Sequence, residues 1–234
     1  MKKIKTIGLI GGMSWESTVE YYKIINQTVN QKLGGVHSCE CLMYSFDFAV
    51  IEKLQHQGKW DELTRLMISA AKRLETAGAE IVLICTNTMH KMADEVEVNI
   101  SAPLLHIADA TAEEIKRQGM KKAGLLGTKF TMEQNFYRKR IEEKYDIKVI
   151  IPDEQERQIV HDVIYDELVI GKIISSSTQK YVKIINNLKS KGAEGVILGC
   201  TEIPLLVKQE DCSIPIFDTT TIHARAAVEL AINL

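Results

Sequence analysis

Cys200 and Thr86 carry groups that can pass a proton, and they hold matching places in two copies of one sequence pattern. The first copy reads Gly78-Ala79-Glu80-Ile81-Val82-Leu83-Ile84-Cys85-Thr86-Asn87-Thr88. The second reads Gly192-Ala193-Glu194-Gly195-Val196-Ile197-Leu198-Gly199-Cys200-Thr201-Glu202. Aligned on Gly-Ala-Glu without gaps they lie 114 positions apart (192 − 78), which sets Cys200 opposite Thr86 and Cys85 opposite Gly199. One reactive group from each half of a duplicated fold suits a site between two lobes, where a substrate is worked from both faces.

Cys200 follows a short apolar run and precedes Thr201-Glu202-Ile203-Pro204, a helix start with proline in its first turn. A thiol in that position is expected to have a lowered pKa and more thiolate at neutral pH. The bland alternative is a small buried hydrophobe, the commonest fate of a free cysteine. Thr86 alone reads as a strand-end or capping hydroxyl. With Asn87, Thr88 and the backbone amides of a presumed helix start it makes a cradle for a carboxylate. Cys85 is the better acid by type. It falls one residue too early, however, on a strand, and must face away from Thr86. It is read as a packing residue.

The run Ile7-Gly8-Leu9-Ile10-Gly11-Gly12-Met13-Ser14 lacks the G-x-G-x-x-G spacing, and Asp47 comes too late to serve as its acidic partner. It reads as a tight turn exposing amide donors from Ser14 to Thr18, with Ser14 or Ser17 capping the helix behind it. His90, His106 and His223 show no zinc spacing. His90 follows Thr88 by two positions and could reach substrate from a first helical turn. Asp218 reads as the cap of a helix beginning near Thr219.

These residues need elements to hold them. Apolar recurrence at three- and four-residue steps predicts helices over Ser17 to Leu33, closed by Gly34-Gly35, and over Trp60 to Ala77, closed by Gly78. Strands are predicted at Ile4 to Ile10, Leu42 to Phe48 and Ile81 to Ile84. In the second half Ala123-Gly124-Leu125-Leu126-Gly127 echoes Ile7-Gly8-Leu9-Ile10-Gly11. A helix follows near Glu133 to Tyr145, then a strand around Val149 to Ile151, two helical stretches, and a strand at Val196 to Leu198. Pro103-Leu104-Leu105 and Pro215-Ile216-Phe217 each introduce a strand and then a helix. The three matched pairs lie 116, 114 and 112 positions apart. Strands alternating with helices predict an α/β fold of two pseudo-symmetric, doubly wound lobes with mainly parallel sheets, ligands binding beyond the strand carboxyl ends.

At 234 residues the chain is long enough for two small domains with real cores. Its formal net charge is −2, and no basic run is interleaved with aromatics, so nucleic acid is not an expected partner. No apolar stretch approaches the roughly 20 residues that span a bilayer, and no membrane partner is expected. The N-terminus lacks a cleavable signal pattern. Five cysteines without zinc or redox spacing point to a reduced, cytoplasmic protein.

Three motifs carry a resemblance. Gly11-Gly12-Met13-Ser14-Trp15-Glu16-Ser17-Thr18, Cys85-Thr86-Asn87-Thr88-Met89-His90 and Gly199-Cys200-Thr201-Glu202-Ile203 resemble the aspartate/glutamate racemase family. Ile107 to Thr111 and Gly127 to Glu133 extend the likeness over essentially the whole chain. The resemblance implies a racemase of aspartate or glutamate without metal or other cofactor, acting as a homodimer. It also implies an exchanged C-terminus. The first lobe would comprise residues 1–102 and 214–234, the second 103–213, with the strand and helix after Pro215 packing on the first lobe and those after Pro103 on the second. The family's usual pair is two opposed cysteines. Here the first motif offers Thr86, so the chain looks closest to the subgroup of broad-range or L-specific racemases with a Thr/Cys pair.

By this resemblance Cys200 and Thr86 are the catalytic pair. Met13, Ser14, Gln55, Asn87, Thr88, Thr131, Thr201 and Glu202 would bind the amino-acid substrate. Two rivals stay open. Proteins resembling arylmalonate decarboxylases and maleate isomerases also use strand-end cysteines. A non-catalytic binder of small carboxylates would keep the cradle and lack the second base.

Overall fold

The computed structural model describes residues 4–233, which divide into two compact units: one ends at His106 and resumes at His223, and the other spans Ile107–Ile222. In chain order the first unit holds β1 (Ile7–Gly11), α1 (Trp15–Leu33), β2 (Cys41–Ser45), α2 (Phe48–His56), α3 (Trp60–Thr76), β3 (Ile81–Ile84), α4 (Ala93–Glu97) and β4 (Leu104–Leu105). The second holds α5 (Ile107–Arg117), β5 (Lys122–Gly127), α6 (Lys129–Glu133), α7 (Asn135–Tyr145), β6 (Lys148–Ile150), α8 (Glu154–Asp166), α9 (Ser175–Ser190), β7 (Gly195–Gly199), α10 (Ile203–Leu206) and β8 (Ile216–Asp218). Helix α11 (Thr219–Asn233) then returns the chain to the first unit. Among the described residues no helix is long and apolar enough to cross a membrane.

Each unit is built on a four-stranded sheet, ordered β2-β1-β3-β4 and β6-β5-β7-β8, with every pairing parallel. The sequence offsets are the structural registers. Ile7 pairs with Ile81 as Ala123 pairs with Gly195, and Val82 pairs with Leu104 as Val196 pairs with Ile216. The Gly-Ala-Glu repeat has a backbone reason. Gly78 and Gly192 both take positive φ, 104° and 90°, as a helix exit of this kind requires. The amide of Ala79 then reaches back to the Leu74 carbonyl, and that of Ala193 to Leu188. Glu80 and Glu194 each accept from backbone N–H groups of the neighbouring strand's entry, Thr6 in one unit and Lys121 and Lys122 in the other.

The predicted helix near Glu133 to Tyr145 resolves into α6 and α7, broken at Gln134, whose backbone is extended at φ −85°, ψ 150°. Helix α2 escaped the sequence reading. Its turn-like start is capped by Asp47, which accepts from the Ala49 amide at 3.1 Å.

The exchange is narrower than expected. Strand β4, after Pro103, stays with β3 in the first sheet, and β8, after Pro215, stays with β7 in the second. The helices alone change units: α5 packs in the second core and α11 in the first, through Ala224, Ala227, Val228 and Ala231. The two-residue β4 and three-residue β8 each extend the nearest sheet edge, so the crossing falls one step later, at His106 and at His223.

His223 secures α11. It is fully buried, its Nε2 donates to the Leu105 carbonyl at 2.9 Å, and its Nδ1 accepts from Tyr21 Oη at 2.8 Å. Because a carbonyl can only accept, Nε2 carries a proton. Burial lowers the His223 pKa from the ordinary 6.5 to about 4, against the pull of the Leu105 carbonyl.

The depressed value means that the unfolded chain binds more protons than the fold between those two pH values. Stability from this site is therefore complete above pH 6.5 and is lost as pH falls toward 4, by about 3 kcal/mol at most. Urea unfolding of the protein and of His223→Gln, at pH 7 and pH 4, should show the gap between them narrowing by that order in acid. An unchanged gap would mean that the ring is charged in the fold.

Candidate active site

In the second unit the ends of β5 and β7 close on one another through glycine. A Cβ on Gly127 would lie 2.7 Å from the Gly199 carbonyl oxygen, and one on Gly199 would lie 2.9 Å from the Leu126 oxygen. Backbone contacts that tight exclude a side chain at either place. Thr128 and Thr131 follow the end of β5, and Cys200, Thr201 and Glu202 follow the end of β7. Thr131 covers the glycine pair, its Cβ 3.2 Å from where a Gly127 Cβ would stand.

Cys200 is buried, as are Thr201 and Glu202. The Cys200 thiol donates to Glu202 Oε2 at 3.0 Å, and the Thr201 hydroxyl donates to the same oxygen at 3.0 Å. Burial, then the charge of Glu202 and its hydrogen bond, push the Cys200 thiol well above its ordinary value. This corrects the expectation of a thiolate. Helix α10 has four residues and lends little positive field, whereas an adjacent carboxylate opposes a second negative charge directly. The resting group is a protonated thiol with a proton acceptor in contact. It can give a proton as it stands, and it becomes a base when Glu202 takes that proton.

In the first unit the matching strand end is β3. Its side chains alternate between two cores: Val82 and Ile84 enter one, while Ile81, Leu83 and Cys85 enter the other. Cys85 is fully buried on the second side with Ile7, Leu9 and Tyr21, and desolvation drives its pKa far up. It packs, as the register predicts. Thr86 follows the last ladder bond, from the Cys85 amide to the Ile10 carbonyl at 2.9 Å, and is buried, though less deeply than Asn87 and Thr88 beside it. The helix start expected here is a five-residue 3₁₀ turn, Thr88–Met92, with no side-chain cap from Asn87. A single tight turn supplies no helix field worth the name, so the cradle rests on its own amide and hydroxyl groups.

Gln55, from α2, joins this cluster: its Nε2 approaches Met89 Sδ at 3.2 Å, one residue past Thr88. Met13 and Met89 belong to one hydrophobic core. The loop before α1 is ordered by a residue the sequence reading passed over. Neither Ser14 nor Ser17 caps the helix through its side chain in the expected way; Thr18 Oγ1 accepts from the Gly12 amide at 2.9 Å and donates to the Ser14 carbonyl at 2.8 Å. Gly12 is obligatory, since its φ is +80° and a Cβ would meet Phe46 backbone atoms at 2.3 and 2.5 Å. The signal was present as a threonine one turn beyond a Gly-Gly pair.

His90 is drawn inward, away from the role first considered for it. Its Nδ1 lies 2.8 Å from the Thr86 carbonyl oxygen. Asp218 caps α11 as read, accepting from the amides of Thr220 and Thr221 at 3.0 and 3.2 Å. Among the described residues no group of three or more His, Cys, Asp or Glu side chains is arranged to hold a metal ion.

Two α/β units, each on a parallel sheet with matched polar strand ends, define a class of protein that comparison makes explicit. The chain belongs to the Asp/Glu/Hydantoin racemase family, whose model matches residues 10–227. It is a racemase-type isomerase. Among its relatives is RacX of Bacillus subtilis (strain 168), a broad specificity amino-acid racemase, 26% identical over 95% of this chain and 96% of that one. The crystal structure of a Yersinia pestis protein proposed to be an Asp/Glu racemase is 54% identical, with a TM-score of 0.90, and covers 97% of this chain and 99% of its own. That of an aspartate racemase homologue from Pyrococcus horikoshii OT3 is 40% identical, with a TM-score of 0.83 and 99% of both chains covered.

The thiols of this protein should rank by environment. Cys41 is half-buried and its pKa is lowered, chiefly by a hydrogen bond from Cys39, while Cys200 and Cys85 are buried and raised. Iodoacetamide at pH 7 followed by peptide mapping should label Cys41 first, and Glu202→Gln should bring Cys200 labelling to lower pH. Fast labelling of Cys200 in the unaltered protein would refute the carboxylate-capped thiol.

Proposed function

We propose that this protein interconverts the enantiomers of an acidic amino acid, aspartate or glutamate, by moving the α-proton without a cofactor. The observation that carries the reading is the buried Cys200–Glu202 contact of 3.0 Å at a strand end whose counterpart presents Thr86. Glu202 takes the thiol proton, and the thiolate so formed removes the α-proton from one face of the substrate. The group at Thr86 returns a proton to the other face. Asn87, Thr88, Thr201 and nearby amides hold the α-carboxylate and stabilise the charge that develops on it, where preorganised donors act most strongly. Met13, Ser14, Gln55 and Thr131 complete the substrate's surroundings. The protein acts, on this reading, as a cytoplasmic homodimer of 26.3 kDa chains.

An alcohol is a far weaker acid than a thiol, so the two directions of turnover are unequal. Each enantiomer of aspartate and glutamate, incubated in deuterated water with chiral product analysis, tests the reading. Inversion should carry α-deuterium. Cys200→Ala should abolish it, Cys85→Ala should leave most of it, and Glu202→Gln should slow it about 100-fold, the scale of general acid–base assistance. Thr86→Cys should speed turnover or level its two directions. Inversion that survives loss of Cys200 would end the assignment. Ligand binding with no α-proton exchange would favour a carboxylate binder, and loss of carbon dioxide from a malonate-type acid would favour a decarboxylase.

A further inference from the structure

Three buried histidines of the first unit form one group behind Thr86. The His90 ring lies 4.5 Å from that of His106 and 5.7 Å from that of His223, centroid to centroid. His106 and His223 are the residues at which the chain leaves and re-enters this unit. The Tyr21 hydroxyl, the His223 ring and the Leu105 carbonyl form a hydrogen-bonded chain, and Leu105 sits on β4 in register with Leu83 of β3, the strand that leads to Thr86. A bond runs from this group to the candidate site: His90 Nδ1 to the Thr86 carbonyl oxygen, 2.8 Å. The carbonyl can only accept, so Nδ1 carries the proton. Burial, and then the neighbouring His106 and His223, hold His90 well below the ordinary imidazole value despite the Thr86 and Leu105 carbonyls, so the ring is neutral.

The Thr86 carbonyl is the first strand-end acceptor past the ladder bond at Cys85, and its direction fixes ψ at Thr86. That angle sets the course of the chain into Asn87 and Thr88. A strand interior needs no such aid, because its neighbours orient every peptide. At Thr86 the ladder has ended.

We infer that His90 is a positioning residue for Thr86, fixing the Thr86 peptide through an Nδ1–H bond while His106 and the Tyr21–His223–Leu105 chain fix the ring. The inference rests on the proposal that Thr86 serves the second face of the substrate. It assigns His90 no contact with substrate.

The test separates inversion from exchange. A protein that keeps Cys200 but misplaces Thr86 should still wash deuterium into one enantiomer with retention of configuration, because Cys200 can remove and return the proton on its own face. His90→Ala should lower the ratio of inversion to exchange roughly 10- to 100-fold, the scale of a catalytic group displaced by about 1 Å. His90→Asn, whose amide N–H falls near the Nδ1 position, should restore most of the ratio, and His90→Gln, whose amide reaches the Nε2 position, should not. Should His90→Ala fail to fold, the Asn and Gln variants carry the same contrast. An equal fall of exchange and inversion in His90→Ala, or equal ratios in Asn and Gln variants, would overturn the inference. Thr86→Ala, measured alongside, keeps the two ideas apart. If it retains inversion, the proposal for Thr86 fails; if it loses inversion while His90→Ala does not, the positioning role alone fails.

Discussion

A parallel strand covered on both faces has one place where polar side chains can gather, the loop beyond its carboxyl end. Everything chemical in this protein follows from that constraint. Strands β3 and β7 are buried along their whole length, and the polar residues begin in the first positions after each. Which residue then faces the loop is a matter of parity. Side chains on β3 alternate between two apolar cores, so a shift of one residue would exchange the environments of Cys85 and Thr86. The better acid lies in the core for that reason, and the alcohol lies at the strand end.

Much of this was legible in the sequence because backbone demands repeat wherever a fold repeats. The offsets of 116, 114 and 112 positions reappear as the registers of β1 with β3, β5 with β7, and β4 and β8 with their neighbours. Strands β2 and β6 pair in the same way, Cys41 with Ile7 and Val149 with Ala123, yet no sequence match announced them. They are partly exposed edge strands, as are β4 and β8, but a proline marks the entry of β4 and β8 and nothing comparable marks β2 and β6. The point of exchange between units was misplaced for a related reason. Proline marks the entry to β4 and β8, but strands of two and three residues take their partner from the nearest sheet, and the crossing falls at the helices behind them. Thr18 escaped because its bonds, to Gly12 and Ser14, exist once the Gly-Gly turn has formed.

The protonation of Cys200 shows how magnitudes decide between two reasonable rules. A helix start favours negative charge by about 0.3–1 kcal/mol, and less when the helix is a single turn. Two unit charges about 4 Å apart interact by about 4 kcal/mol at an effective dielectric of 20, and removal from water adds to the cost of the second. Spacing alone suggested the first effect. The second required knowing that the Glu202 carboxylate folds back onto the thiol two residues before it.

That contact also explains why Cys200 and Glu202 depart together from their counterparts at the other strand end. In the 114-position register Cys200 stands opposite Thr86 and Glu202 opposite Thr88, with Thr201 opposite Asn87. A carboxylate buried as deeply as Glu202 needs donors, and the Cys200 thiol and Thr201 hydroxyl supply them. Put threonine in place of the cysteine alone and the carboxylate keeps a donor but loses its more acidic one. A hydroxyl at Thr88 carries no charge to satisfy, so thiol and carboxylate stand or fall as one unit. The glycines and the glutamates Glu80 and Glu194, which answer to backbone geometry alone, keep their roles on both sides of the duplication.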